Sequence, residues 1–196
     1  SRGILLNNGS VEFESTAENV ISHYFHNGRD KEEKPALVTF RNYNISQSPV
    51  YIEDIFIEGN KNTIPKFGMD IHPEIIIRVC AKQAITDASV SLSIFNSEGI
   101  NVGVAFSWDD NFYLNIPAAG YYDIYCRFNN CSLVPDQYYI SVGLNQSDVT
   151  NAWDGISYYP AFVIENQNNV PKYSHRPWGI NHFSGNSWSI ERNDGE

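Results

Sequence analysis

The chain has few positively charged residues and no long apolar run. Its 13 Lys and Arg against 23 Asp and Glu leave a formal net charge of −10. This balance argues against binding of nucleic-acid phosphates, which needs Lys and Arg surfaces, and gives no attraction to an anionic membrane surface. No apolar run approaches the roughly 18 residues of a membrane-spanning helix, and no secretory signal pattern occurs. The first residue is Ser, so we expect a processed or excised piece.

Cysteine and histidine are also scarce, and their spacing indicates neither disulfides nor a metal. The cysteines are Cys80, Cys126 and Cys131, an odd number without a CxxC motif, which favours reduced thiols in a cytosolic protein. The five histidines show no HxH or i, i+4 spacing for zinc. Residues 109–111, Asp-Asp-Asn, have the oxygen ligands that Ca²⁺ prefers, but adjacent acids are more often turn residues. We predict no metal and no cofactor.

What the chain does contain, after about residue 35, is a series of short apolar segments that alternate with period two. Gly, Pro, Asn or Asp separates them, and no helical pattern intervenes. This arrangement predicts an all-β fold, an antiparallel immunoglobulin-like or jelly-roll β-sandwich. The segments are "ALVTFRNY", "VYIEDIFIEG", "EIIIRVCA", "ASVSLSIFNSEG", "NVGVAF", "NFYLNI", "GYYDIYCRF", "QYYISVGL" and "YYPAFVIE".

The two ends of the chain differ from this pattern. "GILLNNGSVEFES" predicts a hairpin that turns at Asn7-Asn8-Gly9, and "STAENVISHYF" predicts a short helix with Thr16 as its N-cap. The polar stretch "HNGRDKEEKP" indicates a linker. The last 28 residues have weak periodicity, but Trp178, Phe183 and Trp188 are too apolar for a free tail. We expect this tail to dock on the sandwich or on a second subunit.

Alternation assigns each strand an inner and an outer set of side chains. The predicted inner residues are Ile75, Ile77, Val79, Ala81, Tyr122, Ile124, Cys126, Phe128, Tyr138, Ile140, Val142 and Leu144. The predicted outer residues are Ile76, Arg78, Cys80, Lys82, Tyr121, Asp123, Tyr125, Arg127, Tyr139, Ser141 and Gly143. Several strands therefore carry tyrosine and arginine on a face that need not be core.

Two resemblances account for this organisation. "RGILLNNGSVEFESTAENVISHYF" resembles the last segment of an ABC-transporter ATPase domain. "VYIEDIFIEGN", "IHPEIIIRVCA", "VSLSIFNSEGINV", "FNNCSLVPDQYYISVGL" and "NAWDGISYYPAFVIEN" together resemble the C-terminal polysaccharide-binding domain of Wzt, the ATPase subunit of O-antigen ABC exporters. The predicted organisation is an ATPase remnant in residues 1–27, a linker and first strand in 28–48, a carbohydrate-binding sandwich in 49–168, and a tail in 169–196 that exchanges between subunits.

The second resemblance implies a function, a location and partners. Domains of this family are β-sandwiches that recognise the non-reducing end of a polysaccharide in the cytoplasm and couple it to export. The resemblance implies a homodimer formed by exchange of a C-terminal strand. It also implies a place at the inner face of the inner membrane, where the parent ATPase meets the transmembrane subunit of the transporter.

The sequence gives no support for catalysis by this chain. There is no Gly-rich phosphate loop ending in Gly-Lys-Ser/Thr and no Gly-x-Ser-x-Gly nucleophile motif. A glycosidase would need two carboxylates about 5–9 Å apart, and Asp123 and Glu165 are the candidates, but nothing else favours hydrolysis. We therefore predict a non-enzymatic protein.

Sugar binding needs flat aromatic rings for the C–H faces of pyranoses and planar polar groups for their hydroxyls. Seven residues fit this chemistry and form the predicted carbohydrate-binding set: Arg78, Trp108, Tyr121, Asp123, Tyr125, Arg127 and Tyr139. Two other interpretations remain open: the tyrosines simply stabilise the sheet through cross-strand pairs, and Trp108 caps the core. For the whole chain, the alternative function is a structural or adhesive jelly-roll domain that binds protein partners.

Overall fold

The computed structural model describes residues 2–7, 9–17, 19–20, 33–68, 71–128, 133–147, 151–165, 181–182 and 187–193, and nearly all of them belong to or connect β-strands. The strands are β1 (Arg2–Asn7), β2 (Ser10–Thr16), β3 (Val50–Ile57), β4 (Lys66–Gly68), β5 (Glu74–Ala81), β6 (Ile85–Phe95), β7 (Asn101–Phe106), β8 (Leu114–Ile116), β9 (Gly120–Arg127), β10 (Asp136–Gln146), β11 (Ala152–Glu165), β12 (Asn181–His182) and β13 (Ser187–Asn193). The predicted all-β class is confirmed.

Two sheets form the sandwich. The larger has seven strands in the order β12-β7-β6-β10-β11-β4, with β8 paired to β6, and the smaller has the order β13-β9-β5-β3. Most neighbours are antiparallel, whereas β11–β4 and β12–β7 are short parallel pairs. The sheets enclose one apolar core, because each strand turns its alternate apolar residues inward.

The predicted inner and outer sets are confirmed for β5, β9 and β10. All twelve inner residues are at most 4% exposed, including Tyr122 and Tyr138, whose phenols donate to the backbone oxygens of Ala118 and Val134. Burial also raises the pKa of the Cys126 thiol. Since the inner faces fill the core, the side chains available to a ligand lie on the two outer faces of the sandwich.

The hairpin at the amino terminus is present. β1 and β2 pair antiparallel, and Gly9 in their turn has φ +82°, a left-handed conformation that glycine adopts without strain. Residues 17, 19 and 20 are helical, and the backbone amide of Asn19 donates to the Thr16 hydroxyl, the predicted N-cap contact. The remainder of the predicted helix and most of the charged linker lie outside the described residues.

The prediction of a strand in "ALVTFRNY" is wrong. Leu37–Phe40 is a 3₁₀ helix that packs Leu37 and Phe40 against the core. Only the end of the segment pairs with a strand, through a bridge between Arg41 and Ile156 of β11 and a hydrogen bond from the Asn42 amide to the Gly155 carbonyl. The Phe40 ring meets the Tyr159 ring edge-on at 5.3 Å between centroids. The segment thus covers one end of the sandwich.

A buried ion pair fixes this segment to both sheets. Asp154 on β11 is fully buried and accepts from Arg41 at 3.1 Å, while its second oxygen accepts from the Ile52 amide of β3 at 2.8 Å. Arg41 also donates to the carbonyl of Ile52. One carboxylate therefore links the larger sheet, the smaller sheet and the chain that precedes them. Its neighbour Trp153 packs against the core.

The described part of the tail docks on the sandwich. β13 pairs with β9 along its whole length, and the half-buried Trp188 stacks on Phe112 with 6.2 Å between ring centroids. The Trp188 indole donates to Asp110 at 2.6 Å. Trp178 and Phe183 lie outside the described residues. Among the helices that are described, none has the length and apolar character needed to cross a membrane.

Candidate functional site

The seven residues predicted to bind carbohydrate separate onto the two outer faces of the sandwich. Five lie on the smaller sheet and form what we call the tyrosine–arginine face: Arg78, Tyr121, Asp123, Tyr125 and Arg127. The other two, Trp108 and Tyr139, belong to the opposite face. Tyr139 therefore does not share a surface with the other outward residues of the predicted set, because β10 pairs with β6 and β11 in the larger sheet, whereas β9 pairs with β5 in the smaller one. The role of the seven residues in carbohydrate binding stays a prediction.

The pairing register of β5 and β9 puts one ion pair at the centre of the tyrosine–arginine face. Arg78 of β5 lies directly opposite Asp123 of β9 and donates to both of its carboxylate oxygens, at 2.7 and 2.8 Å. Only 22% and 13% of the two side chains is exposed. A bidentate pair of this kind holds the carboxylate in a fixed orientation and leaves lone pairs that can accept from other donors.

The neighbours of this pair are more exposed. Arg127 forms an ion pair with Glu74, and its guanidinium lies 5.9 Å from the centre of the Tyr125 ring. The Tyr125 hydroxyl donates to Glu191 of β13 at 3.3 Å. Tyr121 is 44% exposed and stands opposite Cys80. The face therefore offers two rings on either side of a polar centre.

Electrostatics keep the phenols of this face protonated. Burial, followed by the charge of Glu191, raises the pKa of Tyr125. The interactions with Cys80 and Glu53 raise the pKa of Tyr121. Hydrogen bonding to Asp123 raises the pKa of Arg78. At neutral pH the face thus presents neutral phenol hydroxyls and a permanent cation, the groups that bind sugar hydroxyls or an acidic substituent.

A pocket that sequence reasoning missed adjoins this face. Its volume is about 430 Å³, within the range of small-ligand sites. The lining residues are Glu33, Lys34, Pro35, Ala36, Leu37, Glu53, Asp54, Lys61, Asn62 and Tyr159. Two consecutive acids in "VYIEDIFI" break the alternation of β3, and a register shift occurs between Ile52 and Asp54. This break in the alternation was the sequence signal for the pocket, because a β-bulge changes the direction of neighbouring side chains.

Cations surround one ring between the pocket and the tyrosine–arginine face. The buried Phe56 has Lys34 at 4.7 Å, Arg78 at 4.8 Å and Lys61 at 5.9 Å from its ring centre. Lys34 also forms an ion pair with Asp54 at 2.6 Å. Because Asp54 stands opposite Arg78 in the register, the pocket and the face are continuous, and both alternate positive and negative charge.

The opposite face, on the larger sheet, has different chemistry. Its outer positions carry Ser91, Ser93, Ser141 and Gly143 with the rings of Phe95, Phe106, Tyr139 and Tyr158, and we call it the serine–glycine face. Trp108 stacks on Phe106 with 4.5 Å between ring centroids and 19° between planes. Trp108 therefore lies at the β7 edge of this face, in the 3₁₀ helix Ser107–Asp110.

Among the described residues, no group of side chains is arranged for glycoside hydrolysis or for metal binding. Asp123 and Glu165 lie on different sheets, and Asp123 is already paired with Arg78. Asp110 accepts from the Trp188 indole, and Asn111 ends the 3₁₀ helix with φ 56°. Within the described part of the chain, no group of three or more His, Cys, Asp or Glu side chains converges as a metal site would. Of the histidines, only His72 has a described side chain, and it is exposed.

The fold defines the chain as a β-sandwich of the kind seen in a solved Wzt domain. A crystal structure of the C-terminal domain of Wzt superposes with a TM-score of 0.53 at 9% sequence identity, covering 87% of this chain and 93% of that one. At this identity the likeness establishes the fold alone. No curated protein matches the chain.

The family follows from the sequence itself. The family model of the Wzt C-terminal domain matches residues 43–174, well over half of the chain, and the chain belongs to that family. The matched region is the C-terminal, non-ATPase domain of Wzt, and the family has a carbohydrate-binding role in ABC export of O-antigen polysaccharide. The predicted family is confirmed.

Proposed function

We propose that this chain is a non-catalytic domain that recognises the non-reducing terminus of an O-antigen-type polysaccharide in the cytoplasm. In this proposal its parent ATPase couples the bound glycan to export through the transmembrane subunit of the transporter, at the inner face of the inner membrane. The family supports the general role.

The observation that carries the proposal is the preorganised centre of the tyrosine–arginine face. Arg78 and Asp123 are already oriented by their bidentate contact, and Tyr121 and Tyr125 stand on either side of Asp123 on β9. Few groups must become ordered when a sugar binds, which lowers the entropic cost of association. The Arg78 and Arg127 guanidiniums suit an acidic sugar or a phosphate cap.

The adjoining pocket is a structural basis for binding the end of a polysaccharide in preference to its interior. It is bounded by the Glu33–Leu37 segment on one side and by β3 on the other. We propose that the terminal sugar enters this pocket and that the preceding sugars lie across the tyrosine–arginine face. Asp54 and Lys34 supply a charge pair at the junction.

The test is calorimetric titration of the chain with the polysaccharide of its own host. We expect a Kd in the micromolar range or weaker, because water competes for every hydroxyl contact. Tyr125→Ala and Arg127→Ala should abolish measurable binding while the circular dichroism spectrum stays unchanged. Tyr113→Ala, a change at an exposed tyrosine that belongs to neither set of face residues, is the control. Unchanged binding in both variants would remove this face as the site, and no glycan binding at all would favour the protein-binding alternative.

The proposal includes a homodimer. β13 covers the free edge of β9 within one chain, and the same pairing between two chains would join subunits without new contacts. Deleting all residues after Pro171 should then give monomers by light scattering at a concentration where the intact chain is dimeric. A truncated chain that remains dimeric would contradict the role of this strand.

A further inference from the structure

We propose that the serine–glycine face is a second carbohydrate-binding surface and that it takes an uncharged stretch of sugar chain. The inference rests on the proposed function, since it assumes that glycans are the ligands, but it concerns the opposite side of the sandwich. Four observations carry it: a floor of small polar residues, aromatic rings around that floor, a buried amide without a partner, and a lack of charge.

The floor is a row of small residues across neighbouring strands. In the register, Phe106 of β7 stands opposite Ser91 of β6, Ser91 opposite Gly143 of β10, and Gly143 opposite Gly155 of β11. The small residues Ser91, Gly143 and Gly155 span two strand-to-strand steps, about 10 Å, and Phe106 lies one step beyond them. Their small side chains keep the floor flat, so that a sugar ring can approach the sheet and reach the serine hydroxyls.

Aromatic rings stand at both ends of the row. At one end Trp108 stacks on Phe106. At the other, the Tyr43 ring lies over Gly155, where an added Cβ would come within 2.7 Å of a ring carbon. Rings spaced in this way present C–H-binding platforms with hydroxyls between them, the combination that sugar rings bind.

A third ring is held in place by a strained backbone. Tyr158 has φ 54° and is 45% exposed, at a register shift where the Ser141 hydroxyl accepts from its backbone amide at 3.0 Å. Its ring packs on Phe95 with 4.5 Å between centroids. A bulky residue at positive φ is costly, and such strain is found where a side chain is directed for function. Here the strain turns an aromatic ring toward the same face as the serines.

A buried amide lies beside the floor without its full set of partners. Asn145 is only 4% exposed, and its Nδ2 has no hydrogen-bond partner within the described part of the chain. This nitrogen is 3.5 Å from the point above Gly143 where a Cβ would stand, and the Ser91 hydroxyl is 2.6 Å from that point. Buried donors without acceptors are costly. Because Nδ2 itself has almost no accessible surface, a sugar oxygen above Gly143 would become its acceptor through a small shift of the amide.

Charge distinguishes this face from the other one. The outer positions named above on β6, β7, β10 and β11 carry no Lys, Arg, Asp or Glu, and the exposed Lys66–Glu165 ion pair of the same sheet lies at its β4 edge. The tyrosine–arginine face, in contrast, is built around ion pairs. A uronic acid or phosphate would lose hydration on the serine–glycine face without gaining a cation. The ligand class is therefore a neutral oligosaccharide.

The experiment is amide chemical-shift mapping on the full chain with neutral linear hexasaccharides of glucose, galactose and mannose. Hexaglucuronic acid serves as the charged comparison, and the polysaccharide of the host as the final probe. We expect shifts at Ser91, Ser141 and Gly143 with at least one neutral probe, and weaker or no shifts there with the acidic one. Trp108→Ala should abolish these shifts, and Tyr113→Ala should leave them unchanged.

Asn145→Ala separates a binding role from a structural one. Losing a ligand hydrogen bond should lower affinity about tenfold, whereas an amide without a ligand would leave affinity unchanged. If this variant fails to fold, the Trp108→Ala variant, at a partly exposed position, still decides the question. Shifts confined to the tyrosine–arginine face with every probe would overturn this inference and leave the proposed function standing. Shifts at neither face, with the host polysaccharide included, would overturn both.

Discussion

The two outer faces of this sandwich are built from the same alternation of side chains but differ in how their polar groups are satisfied. On the tyrosine–arginine face, Arg78, Asp123 and Arg127 already pair with each other or with neighbouring residues. On the serine–glycine face, small hydroxyls and rings dominate, and the Asn145 amide has a donor without a partner among the described residues. A ligand of the first face must therefore share charges that are already paired, whereas a ligand of the second would supply an acceptor for this donor.

The largest expected effect comes from a change that removes the support of both faces. Asp154→Ala leaves Arg41 without its buried partner and frees the Ile52 amide, so we expect a loss of about 3–5 kcal/mol in unfolding free energy. Urea denaturation measures this loss. The control is Lys66→Ala, which breaks an exposed pair with Glu165 at 3.6 Å and should cost about 1 kcal/mol or less. Equal losses in the two variants would show that Asp154 does not connect the sheets.

A second change tests the paired character of the tyrosine–arginine face. Arg78→Ala removes both contacts to Asp123, whose side chain is 13% exposed, and should cost about 1.5–3 kcal/mol. Arg127→Ala breaks a pair whose arginine is 57% exposed and should cost about 0–1 kcal/mol. Thermal or urea unfolding of both variants gives the comparison. A larger loss for Arg127→Ala would reverse the ranking of the two pairs.

A third change tests the flat floor of the serine–glycine face. Gly143→Val introduces a Cβ within 2.6 Å of the Ser91 hydroxyl oxygen, and the crowding should cost about 1–3 kcal/mol. Ser93→Val, on the next strand of the same face, is the control and should be nearly neutral, since β-branched residues suit strands. Urea unfolding measures both. A neutral Gly143→Val would show that this position tolerates a side chain and need not be flat.

The smallest expected effect distinguishes the faces by their response to salt. Raising ionic strength from about 0.1 M to about 1 M shortens the screening length from about 10 Å to about 3 Å. An acidic glycan held by Arg78 and Arg127 should then bind several-fold more weakly, while a neutral glycan on the serine–glycine face should keep its Kd. Titrations at both salt concentrations decide the matter. Salt-sensitive binding of a neutral glycan would place it near the ion pairs instead.

Alternation predicted which side chains of β5, β9 and β10 are buried, because period two is a local property of each strand. It could not place those strands in sheets. Tyr121 and Tyr139 occupy equivalent outward positions in similar segments, and only long-range pairing with β5 or β6 puts them on opposite faces. The seven predicted residues are therefore divided between two faces by long-range strand pairing, which no short stretch of sequence encodes.

The features that the sequence did not predict depend on contacts between segments that are distant in the chain. "ALVTFRNY" has strand-like composition, but Leu37–Phe40 is a 3₁₀ helix packed on the core, and only Arg41 and Asn42 at its end pair with β11. The pocket arises where β3 breaks register at Glu53-Asp54 and meets residues some 20 positions earlier. Such a cavity is a product of the tertiary arrangement. The consecutive acids were its only local signal.

The pocket wall formed by Glu33–Leu37 has a mechanical consequence. This stretch is attached to the sandwich through Lys34, whose amide donates to Asn62, and through the Pro35 carbonyl, which accepts from Tyr159. It is also the stretch through which the amino-terminal hairpin is joined to the sandwich. A ligand bound against this wall and a partner that holds Glu33–Leu37 would act on the same segment, so that each would change the affinity of the other by the same coupling free energy.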